Sequence, residues 1–265
     1  MKNRLIFRAV AMWGTCVAGV FGESVSGTVS MAFDLSHHEK GKEVRLWIPY
    51  PVSDRHQDIS NISFAGDYTE VAVYTDKVFK TPMLFARWEK STASRDLTFS
   101  FDAKRAEVSR PKFPAQQSAV NSEEFAPFLS ATQLGPIDGD VKALAERITQ
   151  GKTSVLEKAK SIYDWTVENT YRDPDTRGCG RGDVRSLLKD PGGKCTDISS
   201  LYVALARAAG VPAREVFGIR MGKKEAQDIT TWHHCWAEFF LPGHGWVSID
   251  PADVRKMMLV QNVEL

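Results

Sequence analysis

The sequence predicts an α+β chain: a β-rich N-terminal domain, then a second domain in which helices come first and antiparallel strands follow. Two observations define the first domain. Apolar residues alternate along Val29-Met31-Phe33, Val44-Leu46-Ile48, Val71-Val73 and Leu97-Phe99-Phe101, and turn-prone clusters such as Lys40-Gly41-Lys42 and Pro51-Val52-Ser53-Asp54 separate them. Short strands of period two with one buried face read as a sandwich or antiparallel sheet. A third observation defines the second domain, where the apolar period changes to that of a helix after residue 139 and returns to strand near Arg214.

The expected organisation is a signal peptide over residues 1–22, the β-rich domain over 28–108, a linker over 109–138 and a second domain over 139–265. Lys2, Arg4 and Arg8 precede a short stretch of apolar and small residues from Ala9 to Val20, the pattern of a secretory leader rather than a permanent span. A buried N-terminal helix is the alternative. Removal of the leader, and with it Cys16, would leave three cysteines, Cys179, Cys195 and Cys235, an odd number for an exported protein. A Cys179–Cys235 disulfide is one arrangement and three small buried thiols another. The linker carries Pro111, Pro114, Pro127 and Pro136.

In the second domain Val141, Leu144, Ala145 and Ile148 follow helical spacing, and Gly151 ends the run. Ser154 with Glu157 is a capping-box signal for a helix carrying Leu156, Ala159, Ile162, Tyr163 and Thr166 on one stripe. The glycine- and aspartate-rich stretch from Asp173 to Gly193 reads as loop. A third helix runs from about Cys195 to Ala209, closed by Gly210 and Pro212. Strands follow at Arg214–Arg220, Trp232–Leu241 and Trp246–Ile249.

Charge narrows the function. Among 265 residues, 34 basic side chains face 33 acidic ones for a net charge of +1, with no like-charge run, which argues against nucleic acid as a partner. His37, His38 and His56 fall in loops with no Cys or carboxylate at ligand spacing.

The chemistry-bearing residues lie around the third helix and the last two strands. Gly192-Gly193-Lys194 delivers Cys195 to the start of the third helix, where unpaired N–H groups and the helix dipole favour a thiolate. Asp197 in the first turn reads as a capping and positioning residue. A hairpin centred on Pro242 sets His234 opposite Asp250, within reach of an imidazole–carboxylate hydrogen bond. Strand alternation puts His234, Trp236 and Glu238 on that face, and His233 and Cys235 on the other. A one-residue slip would choose His233 instead. Cys195, His234 and Asp250 thus make a nucleophile–base–orienter set. A zinc site built from His233, His234, Cys235, His244 and Cys195 is the competing reading. Adjacent strand residues point to opposite faces and no CxxC or HExxH spacing appears, so no metal and no cofactor is expected.

Gly193-Lys194-Cys195-Thr196-Asp197 with Leu201-Tyr202-Val203-Ala204-Leu205-Ala206-Arg207-Ala208-Ala209-Gly210-Val211-Pro212 resembles the nucleophile segment of the transglutaminase-like superfamily. His234-Cys235-Trp236-Ala237-Glu238-Phe239 and Trp246-Val247-Ser248-Ile249-Asp250-Pro251 are similar to its histidine and aspartate segments, and Ser161-Ile162-Tyr163-Asp164-Trp165 to its upstream helix. The likeness covers about residues 140–255. It implies a papain-related core with Cys195 as nucleophile, His234 as general base and acid, and Asp250 as orienter. The implied reaction is attack on a peptide or glutamine amide through a thioester, ending in hydrolysis or in transfer to an amine. The expected partner is then a protein or peptide substrate, and no stable membrane span remains after processing. The fold as a non-catalytic binding or scaffold module is the other functional class. The stop at Leu265, inside an apolar stretch soon after the aspartate segment, suggests a truncated family member.

Overall fold

A computed structural model describes residues 6–10, 24–38, 40–108, 112–114, 118–222 and 224–262. Apart from Ile6–Val10, the expected leader over 1–22 lies outside them. The chain divides into two compact units: residues 1–111 with 219–232, and 112–218 with 233–265. The second unit is therefore interrupted once by a short excursion into the first.

The first unit is all β. Its strands are β1 (Ile6–Val10), β2 (Ser24–Asp34), β3 (Val44–Pro49), β4 (Gln57–Gly66), β5 (Glu70–Thr75), β6 (Pro82–Trp88) and β7 (Asp96–Ala106). They form a sheet ordered β1-β2-β7-β4, extended at the β1 edge by a strand of the excursion, and a three-stranded sheet ordered β3-β6-β5. Among the described residues every pairing in both is antiparallel. Alternation explains the burial: Val29, Met31, Leu97, Phe99 and Phe101 are buried and share one core with Ile48, Leu84 and Trp88. In the loops His37 and His38 are exposed and His56 half-buried.

The second unit opens with α1 (Ala126–Leu129), α2 (Gly139–Ile148) and α3 (Val155–Asn169). Ser154 Oγ accepts from Glu157 N at 3.2 Å while Glu157 accepts from Ser154 N at 3.0 Å, so the expected capping box starts α3. The loop after α3 holds β8 (Tyr171–Arg172), α4 (Val184–Leu187) and β9 (Gly192–Gly193). Then come α5 (Cys195–Ala208) and β10 (Ala213–Ile219), the excursion strand β11 (Ala226–Asp228), β12 (His233–Leu241), β13 (Gly245–Ile249) and α6 (Pro251–Gln261). The sheet order is β10-β12-β13.

Helix α5 is buried nearly all round, Asp197, Ser199, Ser200 and Arg207 included, and is the centre of this unit. Leu201, Tyr202 and Leu205 pack with Ile162 of α3 and with Ala237, Phe239 and Leu241 of β12. Those three strand residues alternate with His234, Trp236 and Glu238, so the face away from α5 carries the polar groups. Arg214 on β10 donates from Nε and Nη2 to Glu238 Oε2 at 2.9 and 2.7 Å, and Ser248 on β13 donates to Glu238 Oε1 at 2.8 Å. Arg214 also lies 4.1 Å over the Trp246 ring. One carboxylate thereby ties the three strands that carry the site.

Candidate active site

The site forms where three segments of the second unit meet. Cys195 is the first residue of α5, and 9% of its surface is exposed. Asp197 holds this corner together. Its Oδ1 accepts from Arg181 N and Gly182 N at 2.9 and 2.8 Å, and its Oδ2 from Lys194 N at 3.1 Å. The expected capping role extends to clamping the loop before α4 onto the helix start. Gly180 and Gly193 are glycines for this reason: a Cβ would stand 1.9 Å from Asp197 Oδ2 at Gly180 and 2.5 Å from Asp197 Cβ at Gly193. Gly180 also has φ +100°, which side-chain-bearing residues avoid. Lys194 directs its Nζ to Thr176 O at 2.6 Å, so it anchors the loop.

Strand β12 supplies His234, 9% exposed, whereas His233 at the strand start is exposed. The hairpin differs in detail from the spacing argument. Glu238 pairs with Ser248 and Leu241 with Gly245, so the turn is Pro242-Gly243-His244, centred on Gly243 and not on Pro242. Gly243 (φ +80°) and Gly245 (φ +104°) take the left-handed positions, and His244 N donates to Leu241 O at 3.0 Å. Extending the register by one sets Asp250 beside Trp236, diagonal to His234. The correction is two residues, an even number, so His234 and Asp250 keep the same face.

Asp250 closes the diagonal because it leaves the strand as the N-cap of α6. Its Oδ1 accepts from Asp253 N at 2.9 Å, and its Oδ2 lies 2.5 Å from His234 Nε2. Asp253 stands 4.0 Å from the same imidazole nitrogen. Helix α6 and Asp253 were not read from the sequence, although the signal was present. Asp250-Pro251-Ala252-Asp253 places an N-cap residue, a proline at the first helical position and an acid in the first turn.

The Cys195 sulfur is held as a thiolate, its pKa lowered from 9.0 to about 3. The largest cause is a hydrogen bond from the Cys235 thiol, which outweighs burial; His234, the Cys235 backbone N–H and Cys179 contribute further bonds. Cys235 is pushed upward, above all by its bond to Cys195. The same bond lowers Cys195 and raises Cys235, so the two thiols titrate together. Cys179 is also raised, by burial and by the Cys195 charge. All three thiols are free, with no Cys179–Cys235 disulfide. The sequence put Cys235 on the face away from His234, yet both reach the sulfur because Cys195 meets the strand where it begins. Residues Thr176, Arg177, Cys179, Arg181, Asp183 and Asp190 line part of an open depression of about 690 Å³ beside this corner. Of the other zinc ligands read from the sequence, His244 sits apart, at the hairpin turn against Phe113.

A cysteine at a helix start, a histidine on the strand packed against that helix and a carboxylate on the histidine define a thiol–imidazole–carboxylate site on an α+β fold. Residues 142–251, which carry all three groups, match the sequence model of the Transglutaminase-like superfamily, so this part of the chain is a transglutaminase-like core. An uncharacterized protein of Haemophilus influenzae is 36% identical over 244 residues, which are 83% of this chain and 66% of that protein. YebA of Bacillus subtilis is 30% identical over 49% of the chain, and a protein-glutamine gamma-glutamyltransferase of Pseudomonas aeruginosa is 33% identical over 31% of it. The matched regions span 20% and 13% of those two proteins, so less than two thirds of each relative is represented. Among solved structures, a candidate cysteine protease from Cytophaga hutchinsonii shares the fold with a TM-score of 0.63 at 15% identity, over 96% of this chain and 78% of that one. The periplasmic domain of TgpA from Pseudomonas aeruginosa gives 0.51 at 17% identity, over 97% and 85%. Among the described residues, no helix is long and apolar enough to cross a membrane.

Proposed function

We propose that the protein is a cysteine-dependent acyl-transfer enzyme acting on peptide or glutamine amides. The observation that carries this reading is the continuous hydrogen-bonded series from Cys195 through His234 to Asp250. In it the Cys195 thiolate attacks the amide carbonyl carbon. The C–N bond breaks, protonated His234 gives its proton to the departing nitrogen, and a thioester remains. Water or a primary amine then attacks the thioester, His234 takes the proton of that nucleophile, and the thiolate is released. Asp250 fixes the imidazole and offsets its positive charge. The Cys195 N–H, at the first helical position, lies outside the helical ladder and is placed to donate to the carbonyl oxygen.

The gamma-glutamyltransferase relative supports transfer and the fold likeness to a candidate cysteine protease supports hydrolysis; both run through the same thioester. Export is supported by the periplasmic setting of the TgpA domain, and cleavage of a leader over residues 1–22 would take β1 out of its place between β11 and β2.

The test incubates the chain with glutamine-containing peptides, with and without a primary amine, and follows products and the intact enzyme by mass spectrometry. Expected are an acyl adduct on Cys195 and a free acid or an amine conjugate as product. Turnover that survives Cys195→Ala would end the proposal.

A further inference from the structure

We infer that Cys179, Cys195 and Cys235 form a binding site for a thiophilic metal ion, zinc foremost, whose capture silences the reactive sulfur. The three Sγ atoms lie within 4.8 Å of one another, and none is spent in a disulfide. Zinc–sulfur bonds of about 2.3 Å in a tetrahedron hold sulfurs roughly 3.8 Å apart, so each pair needs to close by at most about 1 Å. A donor set of three sulfurs selects soft or borderline ions over magnesium or calcium.

The donors come from three segments, each fixed by bonds that do not involve sulfur. Cys179 O accepts from Thr196 N at 2.9 Å, and the Asp197 carboxylate pins the loop through Arg181 N and Gly182 N. Cys235 is held by its strand, and Cys195 by the helix start. Thr196 Oγ1 lies 3.2 Å from Cys235 Sγ, where its hydroxyl can donate to a metal-bound thiolate. Cys179 is the half-buried member, through which an ion enters. His234 belongs instead to a neighbouring group with Asp250 and Asp253. His234 is not grouped with all three sulfurs, so an ion bound to them replaces the Cys195–His234 bond and leaves the His234–Asp250 pair intact.

The step balances without an oxidant. Three metal–sulfur bonds form, water takes the fourth position, and the protons of the neutral thiols pass to solvent, so affinity rises with pH. Inhibition rests on the acyl-transfer reading, whereas the binding does not.

The experiment titrates the full chain with Zn²⁺ against a chromophoric chelator and records X-ray absorption of the zinc-loaded wild type. Expected are one zinc per chain and three sulfur neighbours at about 2.3 Å. Affinity should fall at least roughly tenfold in Cys179→Ser and in Cys235→Ser, and stay within about threefold in His234→Ala. A single sulfur neighbour accompanied by nitrogen or oxygen, or equal affinity in both serine variants, would overturn the site, and the absorption measurement needs no variant to fold. Three-sulfur binding in a protein whose turnover survives Cys195→Ala would retain the site and remove the acyl-transfer reading.

Discussion

The ionisation of Cys195 is the most exposed consequence of the geometry, and it is testable without a substrate. Lowering the thiol from 9.0 to about 3 keeps it ionised throughout the neutral range. A raw reactivity comparison would hide this. At pH 6 an ordinary thiol of pKa near 9 is ionised about one part in a thousand, which favours Cys195 by roughly 10³. A thiolate about six decades less basic is, at a Brønsted slope near 0.5, also roughly 10³-fold less nucleophilic. The two factors nearly cancel, so the pH midpoint of alkylation is the quantity to measure. Iodoacetamide labelling, with Cys195 resolved from Cys179 and Cys235 by peptide mass, should give a midpoint far below the ~8.5 of free cysteine. The acid form loses reactivity as pH falls through that midpoint. Because the Cys235 thiol is the largest cause and His234 follows, Cys235→Ala should raise the midpoint most and His234→Ala less. A wild-type midpoint near 8.5, or one unmoved by Cys235→Ala, would refute the Cys195–Cys235 hydrogen bond as the cause.

The remaining predictions concern positioning and stability. Asp250→Asn keeps a good helix cap but removes the charge on His234, so turnover should fall by about 10²–10⁴ with little change in Tm, whereas Asp250→Ala should also lose about 1 kcal/mol in urea unfolding. Gly180→Ala drives a Cβ to 1.9 Å from Asp197 Oδ2 and should cost well over the roughly 1 kcal/mol expected at Gly178, which has positive φ but open space around it. Tyr202 is fully buried and its hydroxyl has no partner among the described residues, so Tyr202→Phe should leave stability unchanged or raise it by about 1 kcal/mol by calorimetry.

How much of this was legible follows from where the information resides. Caps and periodicity are local, so α2, α3 and α5 could be read, with the start of α3 and both ends of α5 within a residue. Strand β6 could not be read from alternation, because Leu84, Phe85 and Ala86 are all buried in the central strand of its sheet. The excursion of residues 219–232 into the first unit is a non-local fact that no window of sequence expresses. Helix α6 buries only Pro251 and Ala252, so no apolar stripe marks Asp253 in the sequence. The convergence of Cys179 on Cys195 depends on the loop clamped by Asp197, whose carboxylate spans residues 181 to 197.

The choice of His234 survived a misplaced turn for a reason that extends beyond this hairpin. Moving the turn centre from Pro242 to Gly243 shifts every cross-strand partner by two residues, which replaces a direct neighbour with a diagonal one but never exchanges faces. A direct pairing would have fixed the imidazole from within the sheet. The diagonal pairing instead lets Asp250 serve two elements, giving one oxygen to the amide that starts α6 and the other to His234. Asp197 does the same at the other helix start, capping α5 with one oxygen while the other holds the loop that brings Cys179 forward. The nucleophile and the orienting carboxylate are thus both registered by helix N-termini, so reactivity should depend more on these two caps than on the β12–β13 ladder.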